Sequence, residues 1–322
     1  MTLKTRYFVI VSLLVLIVGV GTGLVAYYVG LPLTERRATL AELQFMPDDA
    51  AVVAYANVRD VMASDLRRRI RQAVPHQDGR REFEDKTGIN IETDIDRVVA
   101  CLDAPQAGEP NTNGLVMARG RFNEVKIEAL MREHGADADT YKGKRLIVSP
   151  STPNANRFAL AFIEPGLAAI GSARLVRHAI DLQDGGKSAV DNPELMNLVR
   201  SLDTSNAWAV GRFDVLRSST KLPAGMADRL PPITLFSVSG HVNGGIKGMV
   251  RAETRDEGAA KNLREVVRGF LALAKLQAGS NPQVQTALQS LELGGTGTTV
   301  ALSFTVPGEI FDSLQPGGRA GH

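Results

Sequence analysis

A single cysteine, Cys101, stands in a chain of 322 residues. That scarcity excludes an internal disulfide and every zinc or iron–sulfur site built on several cysteines. Cys101 lies in the apolar run Val98-Val99-Ala100-Cys101-Leu102 and reads as a small buried hydrophobe, since a reactive thiolate needs exposure and nearby positive charge. A surplus of charge is missing too. The formal net charge is +2, and Lys4 and Arg6 account for it, so residues 7–322 carry 35 basic and 35 acidic side chains. A neutral body has no general field to gather a polyanion, which argues against nucleic acid as a partner.

Signatures of chemistry are scarce as well. The five histidines never fall at metal-ligand spacing, and the H-E-x-x-H, G-x-S-x-G and G-x-x-x-x-G-K-[ST] patterns do not occur. Gly295-x-Gly297 is followed by an apolar run, Val300 to Val306, that reads as a strand. A phosphate loop needs a helix N-terminus there, so this segment reads as a turn. Acids cluster at Glu82–Asp85 and Glu92–Asp96, with Asp137 and Asp139 near Gly143. None has the ligand order of a calcium loop, and all read as solvated loops. No catalytic residue, metal or cofactor is assigned.

A long apolar run is present at the start. Phe8 to Val29 gives 22 residues without a charge, 14 of them Leu, Ile, Val or Phe. As a helix the run would span about 33 Å, enough for a hydrocarbon core of about 30 Å. A cleaved signal peptide has a shorter core and a small-residue exit. Here the exit carries Tyr27 and Tyr28, which suit a membrane interface. Residues 8–29 are therefore expected to anchor the chain in a lipid bilayer, with residues 1–7 as a short cytoplasmic tail and the body exported. Gly19 and Gly23 form a small-xxx-small spacing through which two such helices could pair, the one hint of a homo-oligomer.

Beyond a linker at 30–46, short apolar strands run repeatedly into Asn, Asp, Ser or Gly and then into helical patterns. Asn57, Asn123, Ser172, Asp214 and Asp256 fit as N-caps, because their side chains can accept a bond from a free first-turn amide. Asn243-Gly244 is the favoured two-residue hairpin turn with positive φ at both positions. Glu164-Pro165-Gly166 and Lys142-Gly143 mark further hairpins. Ala259, Leu263, Val266, Val267, Phe270, Leu271 and Ala274 share one face of an amphipathic helix. The expected class is α+β: mostly antiparallel sheet with helices packed on one face. Near-repeats (Gly120-Arg121-Phe122-Asn123 and Gly211-Arg212-Phe213-Asp214) suggest two similar subdomains, 47–186 and 193–314. A breaker-rich boundary separates them at Gly185–Pro193, and a disordered tail follows at 315–322.

The densest charge is Arg67-Arg68-Arg69-Ile70-Arg71. On a helix burying Met62, Leu66 and Ile70, the side chains of Arg67, Arg68 and Arg71 would point outward, toward anionic headgroups or an acidic partner. Residues 64–86 hold seven basic and five acidic side chains, so an ordinary solvated face is the competing reading.

Phe83-Glu84-Asp85-Lys86-Thr87-Gly88-Ile89-Asn90 through Asp94-Ile95-Asp96-Arg97-Val98 resembles a pattern of uncharacterised single-anchor bacterial envelope proteins, as does Met46-Pro47-Asp48-Asp49-Ala50 after a membrane helix. The resemblance covers under a tenth of the chain and implies a membrane-tethered envelope location, with no activity attached. The expected function is non-enzymatic binding or scaffolding of a protein partner at the cell envelope. The alternatives are an envelope enzyme whose site only the fold assembles, and a sensor holding a small ligand between two similar halves.

Overall fold

The computed structural model describes residues 41–73, 84–104, 114–150, 157–202, 205–214, 231–278 and 282–310, with the side chains of 71–73, 277 and 282–284 outside that set. Its strands are β1 (Val52–Asn57), β2 (Ile95–Leu102), β3 (Gly114–Gly120), β4 (Asp137–Tyr141), β5 (Lys144–Val148) and β6 (Phe158–Glu164). The second group is β7 (Leu167–Ser172), β8 (Ala207–Arg212), β9 (Ile233–Val242), β10 (Gly245–Thr254), β11 (Glu292–Gly294) and β12 (Thr299–Pro307). The helices are α1 (Val58–Ala63), α2 (Asp65–Ala73), α3 (Ile91–Asp94), α4 (Glu124–Glu133), α5 (Ala173–Asp181), α6 (Pro193–Ser201), α7 (Glu257–Ala278) and α8 (Pro282–Gln289).

All twelve strands join one antiparallel sheet in the order β11-β12-β10-β9-β8-β1-β2-β3-β7-β6-β5-β4. The α+β class with a large antiparallel sheet is thus as expected. Strands β1–β7 fall within 47–186 and β8–β12 within 193–314, yet β1 pairs with β2 on one side and β8 on the other, so the sheet does not break between them. Outward from the β1–β8 pair, the order β1-β2-β3-β7-β6 is mirrored by β8-β9-β10-β12-β11.

Two expectations need correction. The helices do not keep to one face. Leu175, Val176, Ala179 and Ile180 of α5 and Leu195 and Met196 of α6 pack with Val53, Val99, Met117 and Ala161. Ile127 of α4 packs with Val98, Ile147 and Leu160 on the opposite face, and on that side Leu263 of α7 meets Val300. The cause is in the strands: Val98–Cys101, Leu146–Val148 and Ala159–Ile163 are apolar at every position rather than every second one. Both of their faces must therefore leave water.

The linker also ends earlier than 46. Glu42, Leu43, Phe45 and Met46 are buried. The breaker-rich segment at 185–193 docks on them. Ala189 N–H donates to Met46 O (2.9 Å), and the Asn192 side-chain amide donates to Asp48 O (2.7 Å). Ser188 and Asp191 form a capping box, and Asn192 caps α6 with Pro193 in its first turn. Asn192 and Pro193 here start a helix.

Local signals otherwise hold where nothing competes with them. The side chains of Asn123, Ser172 and Asp256 accept from the N–H groups of Lys126, Leu175 and Ala259. Asn57 occupies the α1 cap position without making that bond. Neither Asn243 nor Gly244 has positive φ, whereas Lys142 (46°) and Gly143 (76°) do. Tertiary contact explains the exchange: Leu66 N–H of α2 donates to Asn243 O (2.7 Å), fixing the turn from outside.

Two glycines separate conformation from crowding. Gly143 (φ +76°) has nothing within 4 Å of an added Cβ, while at Gly166 (φ +74°) that Cβ would meet the Gly120 carbonyl at 2.7 Å. Gly143→Ala should cost about 1–2 kcal/mol of left-handed strain alone. Gly166→Ala should cost more, and thermal unfolding of the two variants should rank them in that order.

Candidate functional site

The least exposed charge in the described molecule follows the 30–41 stretch. The Glu42 side chain is 1% exposed. Arg97 on β2 grips it with two bonds, Nε to Oε2 (2.9 Å) and Nη2 to Oε1 (3.0 Å). Arg119 on β3 adds Nε to Oε1 (2.9 Å) and reaches Glu164 Oε2 at 3.2 Å. Arg97 and Arg119 are register partners, so their side chains leave the sheet on the same side. Burial pulls the Arg97 pKa down, but the bonds to Glu42 outweigh it and hold the guanidinium above its ordinary value. A carboxylate fixed by three charge-assisted bonds ties the segment near residue 42 to the middle of the sheet. Sequence reading missed this cluster. Its one trace is parity, because Arg119 shares a strand face with Leu115 and Met117, and Arg97 shares one with Val99 and Cys101.

Along that same face the register draws rows across the sheet. One row runs Val99, Tyr55, Trp208, Ser239, Met249, Ser303, and the next Cys101, Val53, Val210, Ser237, Arg251, Ala301. In each, polar side chains enter from β9 onward: Ser239 and Ser303 on either side of Met249, and Ser237 and Arg251 before Ala301. Tyr55 and Trp208 stack at 5.7 Å and close the apolar side. Past them, beside the end of α6, lies a groove of about 320 Å³ lined by Ser201, Ser237, Ser239, His241, Lys247 and Arg251, among others. His241 and Lys247 are register partners. Asp60 of α1 lies close enough to feel His241: burial pushes its carboxyl above the usual range, and the imidazole pulls it partly back. A larger hollow, about 570 Å³, lies between α4 and the β4–β5 turn, where Glu128 and Arg145 pair at 3.1 Å.

No family model, curated protein or solved structure matches the chain.

The sequence-derived candidates scatter. Arg67 does not point outward; it is 21% exposed and bonds Glu92 at 2.8 Å. The reason is α3, which places Glu92 beside α2, a contact no local pattern reveals. Arg68 pairs with Asp65 on its own helix and Arg69 with Glu309. The Arg71 side chain lies outside the described residues, as do residues 8–29 with Gly19 and Gly23. Among the described residues no helix is long and apolar enough to cross a membrane, and no three His, Cys, Asp or Glu side chains converge as metal ligands.

The acid stretch at 92–96 is not a solvated loop. Asp94 accepts from Asn90 N–H (2.8 Å) and pairs with Arg121, and Asp96 pairs with Arg59. Burial alone would raise the Asp94 carboxyl, but the Asn90 amide and Arg121 prevail and hold it below the usual range. Cys101 is buried as expected, and desolvation pushes its thiol up to about 12, with the Asp103 charge adding to it.

Removing Glu42 leaves two half-buried guanidiniums facing each other. Glu42→Ala should lower unfolding free energy by about 3–5 kcal/mol, and Glu42→Ala with Arg97→Met and Arg119→Met should restore some of it. Denaturation midpoints that do not move in either variant would show that water already screens the cluster.

Proposed function

We propose that the chain is a membrane-anchored binding module of the bacterial cell envelope. In this reading residues 8–29 span the cytoplasmic membrane with the N-terminus inside, and the body outside holds a protein partner or scaffolds an assembly without catalysing a reaction. The observation that carries the binding role is on α7. Leu273 is 54% and Leu276 78% exposed, three residues apart on a 22-residue helix. Phe270 sits one turn before Leu273, half-buried. Adjacent large apolar side chains left in water mark a surface that gains by being covered. The opposite side of α7 is taken up by the fold, since Ala274 and Ala278 pack with Leu288 of α8.

The uncharged run of 22 residues supports the tether, and Lys4 and Arg6 before it support the orientation. The Glu42 cluster would then sit about a dozen residues beyond the bilayer, holding the body close to it. The mirrored strand orders around β1 and β8 support descent of the halves from one duplicated α+β unit.

Two measurements test the reading. Alkaline phosphatase fused to the carboxyl end should be active in intact bacteria; a fluorescent cytoplasmic-folding reporter lighting up at that position would reverse the topology. A partner recovered in fixed stoichiometry with the full chain from detergent-solubilised membranes should be lost from Leu273→Asp/Leu276→Asp. Undiminished recovery with that variant would remove α7 as the docking face.

A further inference from the structure

We propose that the groove between the carboxyl end of α6 and the β9–β10 hairpin binds a phosphate-bearing anion. The inference stands apart from the tether and from α7, and it begins with the register. Ser237, Ser239 and His241 alternate along β9, and their partners on β10 are Arg251, Met249 and Lys247. All six side chains therefore leave the sheet on one side. Ser201 at the end of α6, with Leu202 and Ser205 just after it, closes the groove from the other side. The lining thus holds an ammonium, a guanidinium, an imidazole and four hydroxyls, and it includes no carboxylate.

The charges of the groove are not neutralised internally. Arg251 directs Nε to the Met249 thioether (3.1 Å) and Nη1 to the Ser201 carbonyl (3.5 Å), two neutral acceptors. Among the described residues no carboxylate pairs with Arg251 or Lys247, although the molecule's other described arginines largely take such partners: Arg67 has Glu92, Arg97 has Glu42 and Arg177 has Asp139. Asp60 acts on His241, and Glu253, two residues from Arg251 on the same face of β10, accepts from the hydroxyls of Thr298 and Thr299. A dianion with several acceptor oxygens suits a fork of guanidinium donors, a mobile ammonium and rotatable hydroxyls. At about 320 Å³ the groove is at the small end of ligand sites. It admits a phosphate with a short organic group, for which Leu202 and Met249 supply apolar wall.

Two sources share that chemistry, a lipid headgroup and a free phosphate. The chain's one tryptophan, Trp208, is the register partner of Ser239 and reports on the groove. The test combines the full chain with nanodiscs of phosphatidylcholine alone or with phosphatidylglycerol, whether or not the chain inserts in them. Inorganic phosphate is titrated into each, followed by calorimetry and Trp208 emission. Saturable phosphate binding in the plain discs assigns a free phosphate. A Trp208 shift in the phosphatidylglycerol discs without added phosphate assigns the headgroup.

In either case Lys247→Ala and Arg251→Ala should each weaken binding at least about tenfold, Arg251→Lys should recover some of it, and Lys275→Ala on α7 should change nothing. Unchanged circular dichroism melts separate loss of binding from loss of fold. The proposal fails if neither disc type gives a saturable response, or if the two alanine variants bind as the parent does.

Discussion

The antiparallel pairing of β1 with β8 is the contact on which the rest of the architecture depends. β1 is the first strand among the described residues and lies in the interior of the sheet, with β2 on one edge and β8 on the other. Everything from β2 to β7 extends from one side, and everything from β9 to β12 from the other. Val53 pairs with both Cys101 and Val210, and Tyr55 with both Val99 and Trp208, so the most deeply buried rows of side chains cross the join. A chain built this way closes its central pair only after about 150 residues have been made. The loop-closure cost of such a contact is offset by the apolar rows that it completes.

The charged cluster at Glu42 uses the same strands. Its arginines come from β2 and β3, and its carboxylate from residues that precede β1. Beside it the segment at 188–192 bonds to Met46 and Asp48, so the start of the body is held by elements of widely separated sequence. A buried ion network adds little net stability compared with apolar side chains of the same shape, but it tolerates only one arrangement. The consequence is positional. If the preceding segment is a tether, its pull is delivered to the interior strands and not to an edge.

How much of this was legible in the sequence follows from the range of each signal. Helix caps are local, so Asn123, Ser172 and Asp256 could be read directly, and α7 was visible from its apolar spacing. Strand pairing is long-range, and nothing local says that β8 returns to β1 or that helices must cover both faces. Full apolar runs such as Val98–Cys101 did carry the second fact. Arg67 shows the opposite error. Helical spacing placed it outward until Glu92, 25 residues away, turned it inward. The groove lining was invisible because Ser237, Ser239, His241, Lys247 and Arg251 are unremarkable one at a time and meet only through the register of β9 with β10.

The same register gives the two halves different faces. In the first half the rows are apolar and lie under α5 and α6; in the second they become serine, histidine, lysine and arginine. The two halves thus share a mirrored strand order and differ in the chemistry of their faces. All of this requires the two halves to behave as a single cooperative body. Native-state hydrogen exchange tests that most directly. The amides of β1 and β8, Val53 and Val210 among them, should exchange only through global unfolding and with one free energy. If β8 to β12 opened as a separate, weaker unit while β1 to β7 stayed protected, the sheet would be two domains in contact and the account would be contradicted.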